Sequence, residues 1–244
     1  HMAWQNIALF PEWNCDVPIY LANHHRGFMH EWLRYQAFYL MEYWRMKHGE
    51  DMLGRVWRES ESHEDPITAY KRIAGLSQDQ FNAEVWESAC HDITWDYPLG
   101  GYLRRIVDRQ SEADRQTWYT HKTRLIAENG YYRSYPDTVT ADHGTEQNIA
   151  FTPHDYGYNA FQLSVPEGGT TVTAEFEGIT GDSRYRTVGD SKAGWRFGFV
   201  GVQGSWTPVY GDMGEATGTA PQASVSFTVP GGGLKQLWFV VSGA

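Results

Sequence analysis

Near residue 120 the chain changes its grammar, from aromatic-rich helical text to glycine-punctuated strand text. Nineteen of the 25 glycines follow Thr120 and eight of the eleven tryptophans precede it, so two folding grammars occupy successive stretches and imply two structural units. The expectation is an α+β chain, with an N-terminal helical bundle lobe over 3–121 and an antiparallel β-sandwich of jelly-roll type over 122–244. His1-Met2 reads as a cloning remnant, and Ala3-Trp4-Gln5-Asn6 starts in mid-helix without a cap, which gives the chain the look of the rear part of a longer protein.

In the first stretch, residues 3–10 read as the last turns of a helix that Pro11 stops. From 30 to 48, Trp32, Tyr35, Gln36, Tyr39, Leu40 and Tyr43 mark one face, while Leu33, Ala37, Phe38 and Met41 fill much of the rest. A helix apolar nearly all round is a buried one, and Gly49 is its stop. Met52, Leu53, Val56 and Trp57 make one stripe of the next helix. Asp65-Pro66 opens another, with Asp as cap and Pro at the first helical position. Ser77-Gln78-Asp79-Gln80 is a capping box ahead of Phe81, Val85, Trp86, Ala89 and Ile93, and Pro98-Leu99-Gly100-Gly101 ends that helix.

After Trp118 the period of apolar residues switches from helical to alternating. Asn129-Gly130 between the strand-like runs 123–127 and 131–134 predicts a hairpin. Further strands are expected at 160–165, 170–176, 195–202, 207–210, 224–229 and 237–241, separated by turn clusters such as Pro166-Glu167-Gly168-Gly169 and Pro230-Gly231-Gly232-Gly233. Short strands with no helix between them spell an antiparallel sandwich or jelly roll.

The balance of 20 basic against 30 acidic residues, a net of −10, contains no basic tract, so nucleic acid and anionic membrane are poor partners. Apolar runs such as 37–41 and 237–241 are far too short to span a bilayer. Cys15 and Cys90 stand alone, with no metal-type pair, and read as two free buried thiols or as a single bridge.

Ten histidines raise a metal hypothesis, yet His30-Glu31 is followed one turn on by Arg34, so the His-Glu-x-x-His helix of zinc peptidases is absent from this text. His24, His25, His30, Arg34 and Tyr35 form a polar cluster leading into a buried helix, which suits either satisfied structural groups or a site wall. His91-Asp92, Asp142-His143 and His154-Asp155 read as surface or turn pairs. Asp182, Asp190 and Asp212 could offer oxygen ligands to calcium, without EF-hand spacing. No Gly-x-Ser-x-Gly elbow and no phosphate-cradling loop occurs. Trp195 and Trp238 read as core, whereas Tyr185, Trp206 and Tyr210 could stack on sugar rings.

Several phrases resemble an uncharacterised family of large secreted bacterial proteins in which a gluzincin-like zinc metallopeptidase unit precedes a β-sandwich. They are Trp4-Gln5-Asn6-Ile7-Ala8 leading to Phe10-Pro11-Glu12, then 37–43 after Arg34-Tyr35, and Tyr156-Gly157-Tyr158-Asn159. Lys192-Ala193-Gly194-Trp195-Arg196-Phe197-Gly198-Phe199-Val200 and the closing stretch 237–244 are the most specific of them. The resemblance implies a secreted or cell-surface, hydrolase-like protein whose zinc ligands lie before Ala3, so zinc is expected only with that segment and no metal ligand maps onto this chain. It makes His25, His30 and Tyr35 the candidates for catalytic, cleft-facing groups, able to hydrogen-bond a tetrahedral oxyanion. Arg34, Trp206 and Tyr210 are the candidates for substrate contacts, the substrate being a peptide or a glycan.

Without the zinc helix, no peptide hydrolysis is expected of the chain alone. The alternatives are a non-catalytic glycan-binding module built on Trp206 and Tyr210, and a glycoside hydrolase using a carboxylate pair such as Glu12 and Glu31.

Overall fold

The computed structural model describes Tyr20, residues 23–30, 39–97, 153–180, 189–204 and 206–243, and the backbone of two short strands, 123–125 and 132–134. These residues combine helices with antiparallel sheets, as the α+β expectation requires. Helices α1 (Tyr39–His48), α2 (Met52–Glu59), α3 (Pro66–Ala74) and α4 (Gln78–Asp92) come first. Strands β1 (Thr123–Leu125), β2 (Tyr132–Ser134), β3 (Tyr158–Leu163), β4 (Thr171–Glu177), β5 (Gly194–Val202), β6 (Pro208–Thr217), β7 (Gln222–Thr228) and β8 (Gln236–Gly243) follow. No helix among the described residues is long and apolar enough to cross a membrane.

The helix ends are set by local chemistry. Helix α1 carries Glu42 in its first turn and Arg45, Lys47 and His48 in its last, complementing the helix dipole, and Gly49 leaves it at φ 101°. The side chain of Asp65 accepts hydrogen bonds from Ile67 N and Thr68 N ahead of Pro66, and Gly75 closes α3 in the left-handed region. Ser77 and Gln80 form the reciprocal capping box at the start of α4. On α2 the expected stripe is corrected. Met52 and Val56, one turn apart, are buried, but Trp57 is 87% exposed, because it lies one residue around the helix from the covered face.

Strands β1 and β2 pair antiparallel with Thr123 opposite Ser134, the register a hairpin would give; Asn129 and Gly130 lie outside the described residues. A four-stranded sheet runs β3-β8-β5-β6 and a separate pair joins β4 to β7, all antiparallel. Strand β6 extends well past its expected end at 210, to Thr217. Gly211 and Gly214 punctuate it without breaking it: a Cβ at Gly214 would stand 2.4 Å from the Phe197 ring, so the absent side chain admits a neighbour's aromatic.

The alternating side chains of the four-stranded sheet serve two cores. On one face Tyr158, Ala160, Val200, Val202, Trp238 and Val240 pack with the helices. On the other, Phe161, Phe197, Phe199, Leu237 and Val241 pack with Val225 and Phe227 of β7, with Val172, Ala174 and Phe176 of β4 at the margin. Burial on both faces is why β5 and β8 read as nearly continuous apolar runs, whereas β4, covered on one face, alternates between exposed and half-buried. Within the helices Trp44 stacks on Tyr70 with centroids 4.0 Å apart. Trp86 joins helix to sheet by donating from Nε1 to Val240 O at 3.1 Å.

Candidate functional site

Two segments far apart in sequence, 23–30 and 153–157, are sewn together by backbone hydrogen bonds. His154 N donates to His25 O at 2.8 Å and Tyr158 N to His24 O at 3.0 Å. The seam is tight: a Cβ at Gly157 would lie 2.2 Å from His25 O, and one at Gly27 would lie 2.1 Å from Asp155 O. Glycine is what lets the two backbones touch there.

This seam gathers imidazoles. The His154 ring centre is 6.1 Å from that of His25 and 5.8 Å from that of His30. Arg26 Nη1 lies 3.3 Å from His30 Nε2. His24 and His25 are buried, His30 is half-buried and His154 is exposed at the rim. The His154 imidazole is held below its ordinary pKa, first by loss of hydration and then by the cationic neighbours His30 and Arg26, with Asp155 opposing.

So the structure brings His25 and His30, both singled out in the sequence, to one place and adds His154, whose pairing with Asp155 suggested turn chemistry. A signal for it existed in the phrase Tyr156-Gly157-Tyr158, but nothing local pointed to its partners. Arg34, Tyr35, Glu12, Glu31, Tyr185, Asp182, Cys15 and the pair Asp142-His143 lie outside the described residues. Among the described residues no three His, Cys, Asp or Glu are arranged to hold a metal ion.

Beside the seam lies a second polar centre, which corrects the surface reading of Asp92. This carboxylate is 1% exposed and accepts hydrogen bonds from Tyr20 (2.6 Å), Tyr97 (2.5 Å) and Tyr158 (3.1 Å). A cavity of about 20 Å³ adjoins it, lined in part by His24, Arg26, Ser88 and Tyr156. Burial pushes the Asp92 pKa up to about 7, against the downward pull of the phenol donors. The phenols rise well above their ordinary value, chiefly by burial and then by the neighbouring carboxylate. A buried, fully hydrogen-bonded carboxylate of this kind orders the helix end against β3.

The remaining candidates are dispersed. Trp206 sits at a turn with φ 60°, packs at the edge of the helix-facing core, and carries Lys235 Nζ 4.4 Å over its ring. Tyr210, 40% exposed on β6, commits its hydroxyl to α4 and the residues after it, at 3.0 Å from Asp96 Oδ2 and 3.1 Å from His91 Nδ1. Trp238 is core, and Trp195 packs half-buried on Phe176. Cys90 is a buried free thiol whose pKa burial raises.

No curated protein and no solved structure matches the chain. A family model does match it from residue 1 to residue 244, and the protein therefore belongs to DUF6055, a family of unknown function.

Proposed function

We propose that this chain is part of a secreted, hydrolase-like protein, in which the seam between 23–30 and 153–157 forms a cationic wall facing the oxyanion of a tetrahedral intermediate in peptide hydrolysis. The observation that supports it is the meeting of His25, His30 and His154 with Arg26 on two loops fixed by backbone hydrogen bonds. Arg26 supplies a guanidinium, the side chain whose planar fork of donors best matches a tetrahedral anion. His154, its protonation suppressed by partial loss of hydration at the rim and by its neighbours His30 and Arg26, gains most from an arriving anion, since the negative charge offsets the repulsion that holds its pKa down. In this reading the four-stranded sheet and the β4–β7 pair are the layers of a jelly-roll-like sandwich, and the helices belong to a bundle. No hydrolytic step is assigned to residues of this chain beyond charge stabilisation.

A peptide phosphonate, whose tetrahedral anion mimics that intermediate, provides the test by titration followed by NMR. Binding is expected at a Kd of about 1 mM, weakened at least about tenfold by Arg26→Gln, and tightening as pH falls through the His154 pKa, below 6.5. Binding that is absent, or indifferent to Arg26→Gln, would count against the proposal.

A further inference from the structure

A groove of about 420 Å³ opens where the first turns of α4, the 153–157 segment and the start of the β5–β6 pair meet. Its size is that of a small-molecule site, about 300–1,000 Å³, but its lining is not the apolar one such sites favour. Apart from Ala193 and Gly194, every lining residue carries a polar side chain.

At the base is Arg196, 2% exposed. Its Nη2 donates to Asp79 of α4 and forms an ion pair with Glu215 of β6 at 3.1 Å, while Nη1 donates to Trp195 O at 3.2 Å. A buried guanidinium requires such pairing, and here the pairing fixes both carboxylates in place. Asp79 and Glu215 remain 71% and 47% exposed, and a carboxylate has about four lone-pair sites, so each keeps acceptors for a ligand. On the helix side Gln78 Nε2 donates to Asn82 Oδ1 at 2.7 Å, which orients two amides at the groove wall. Lys192, exposed on the opposite lip, makes no ion pair among the described residues.

The charge count then selects the ligand. Two carboxylates share one guanidinium, and Asp155 balances Lys192, which leaves the groove near neutral and slightly negative. It offers fixed acceptors and donors side by side and little net field. That is the complement of a hydroxyl, which donates and accepts at once, and it suits neither a uronate, which the carboxylates repel, nor a strongly basic peptide, for which a single net negative charge supplies little attraction.

We propose that this groove is a binding site for a neutral oligosaccharide, held by hydrogen bonds from Gln78, Asn82 and Lys192 and to Asp79 and Glu215. It borders the oxyanion wall through Asp155 and Tyr156 of the shared 153–157 segment, but uses none of that wall's imidazoles and does not depend on that reading. The aromatic residue in its lining, Tyr156, packs edge-on against Phe81 with centroids 5.1 Å apart, so the affinity is modest, with a Kd of about 0.1–1 mM.

Calorimetric titration with cellotetraose, xylotetraose, chitotetraose, tetragalacturonate and tetralysine, at about 0.05 M and about 0.5 M NaCl, tests this. At least one neutral tetramer should bind with little change between the two salt concentrations. The double variant Gln78→Ala/Lys192→Ala, at two exposed positions and with an unchanged melting profile, should weaken it at least about tenfold. The proposal is overturned if no neutral tetramer binds more tightly than about 10 mM, or if the double variant binds as the parent does. Tighter, salt-sensitive binding of tetralysine or tetragalacturonate would overturn it in favour of a charged ligand.

Discussion

Replacing Asp92 by alanine is expected to lower stability by about 3–5 kcal/mol, among the largest single-residue effects in this protein. The carboxylate is the shared acceptor of three buried phenols, those of Tyr20, Tyr97 and Tyr158, and its removal takes that acceptor from all three, although Tyr97 keeps Ser88 O at 2.9 Å. Asp92→Asn keeps the shape and an acceptor oxygen, so its cost should be smaller, about 1–2 kcal/mol.

The two variants also separate hydrogen bonding from charge. Because burial raises the folded pKa to about 7 from an ordinary 3.8, the folded state holds a proton that the unfolded chain has released between those values. The stability this group contributes is therefore fully present below about pH 4 and lost as pH rises through about 7. Urea titrations across pH 4–8 should show the parent losing ground to Asp92→Asn over that window and holding level above it. A parallel pH dependence in the two proteins would show that Asp92 does not titrate as described.

Trp86→Ala is the second large effect, at about 3–5 kcal/mol, or a fall in Tm of roughly 10 °C. Trp86 projects from α4 into the helix-facing core and donates from Nε1 to Val240 O, tying the helices to the middle of the sheet. Phenylalanine would restore most of the apolar contact and forfeit the donor, at about 1–2 kcal/mol. Because the same strands supply both cores with alternate residues, helix and sheet signals should melt together in the parent, and the melt should stay a single transition in Trp86→Phe. Circular dichroism and calorimetry read this directly. A helical transition well separated from that of the sheet would mean that the shared core carries little of the stability.

The sequence was most readable where a structure is set by neighbours in the chain. Ser77 with Gln80, and Asp65 with Pro66, cap helices through contacts three residues or fewer apart, and the runs in β5 and β8 are apolar enough to announce their burial. Strand β6 was harder, because Gly211 and Gly214 look like turns until the rings of Phe227 and Phe197 are seen to occupy the space beside them. Trp57 misleads in the opposite sense: its hydrophobicity suggests a core position that the helix rotation denies it.

The candidate site was legible in half. His25 and His30 drew notice as a polar cluster near an apolar helix, but their meeting with His154 depends on the seam closed at Gly157 and Gly27, a long-range contact with no local pattern. Asp92 was hidden for the same reason, since its tyrosine donors come from Tyr20, from Tyr97 beyond the end of α4 and from the start of β3. The Arg196 triad likewise joins the first turn of α4 to two strands that no spacing rule connects.

The account rests on the imidazoles of the seam sharing one cationic environment, and histidine-selective NMR titration measures that most directly. His154 should titrate below 6.5, and Arg26→Gln should raise its pKa toward the ordinary value by removing a neighbouring positive charge. A His154 resonance that titrates at or above 6.5, and does not move when Arg26 is replaced, would contradict the account.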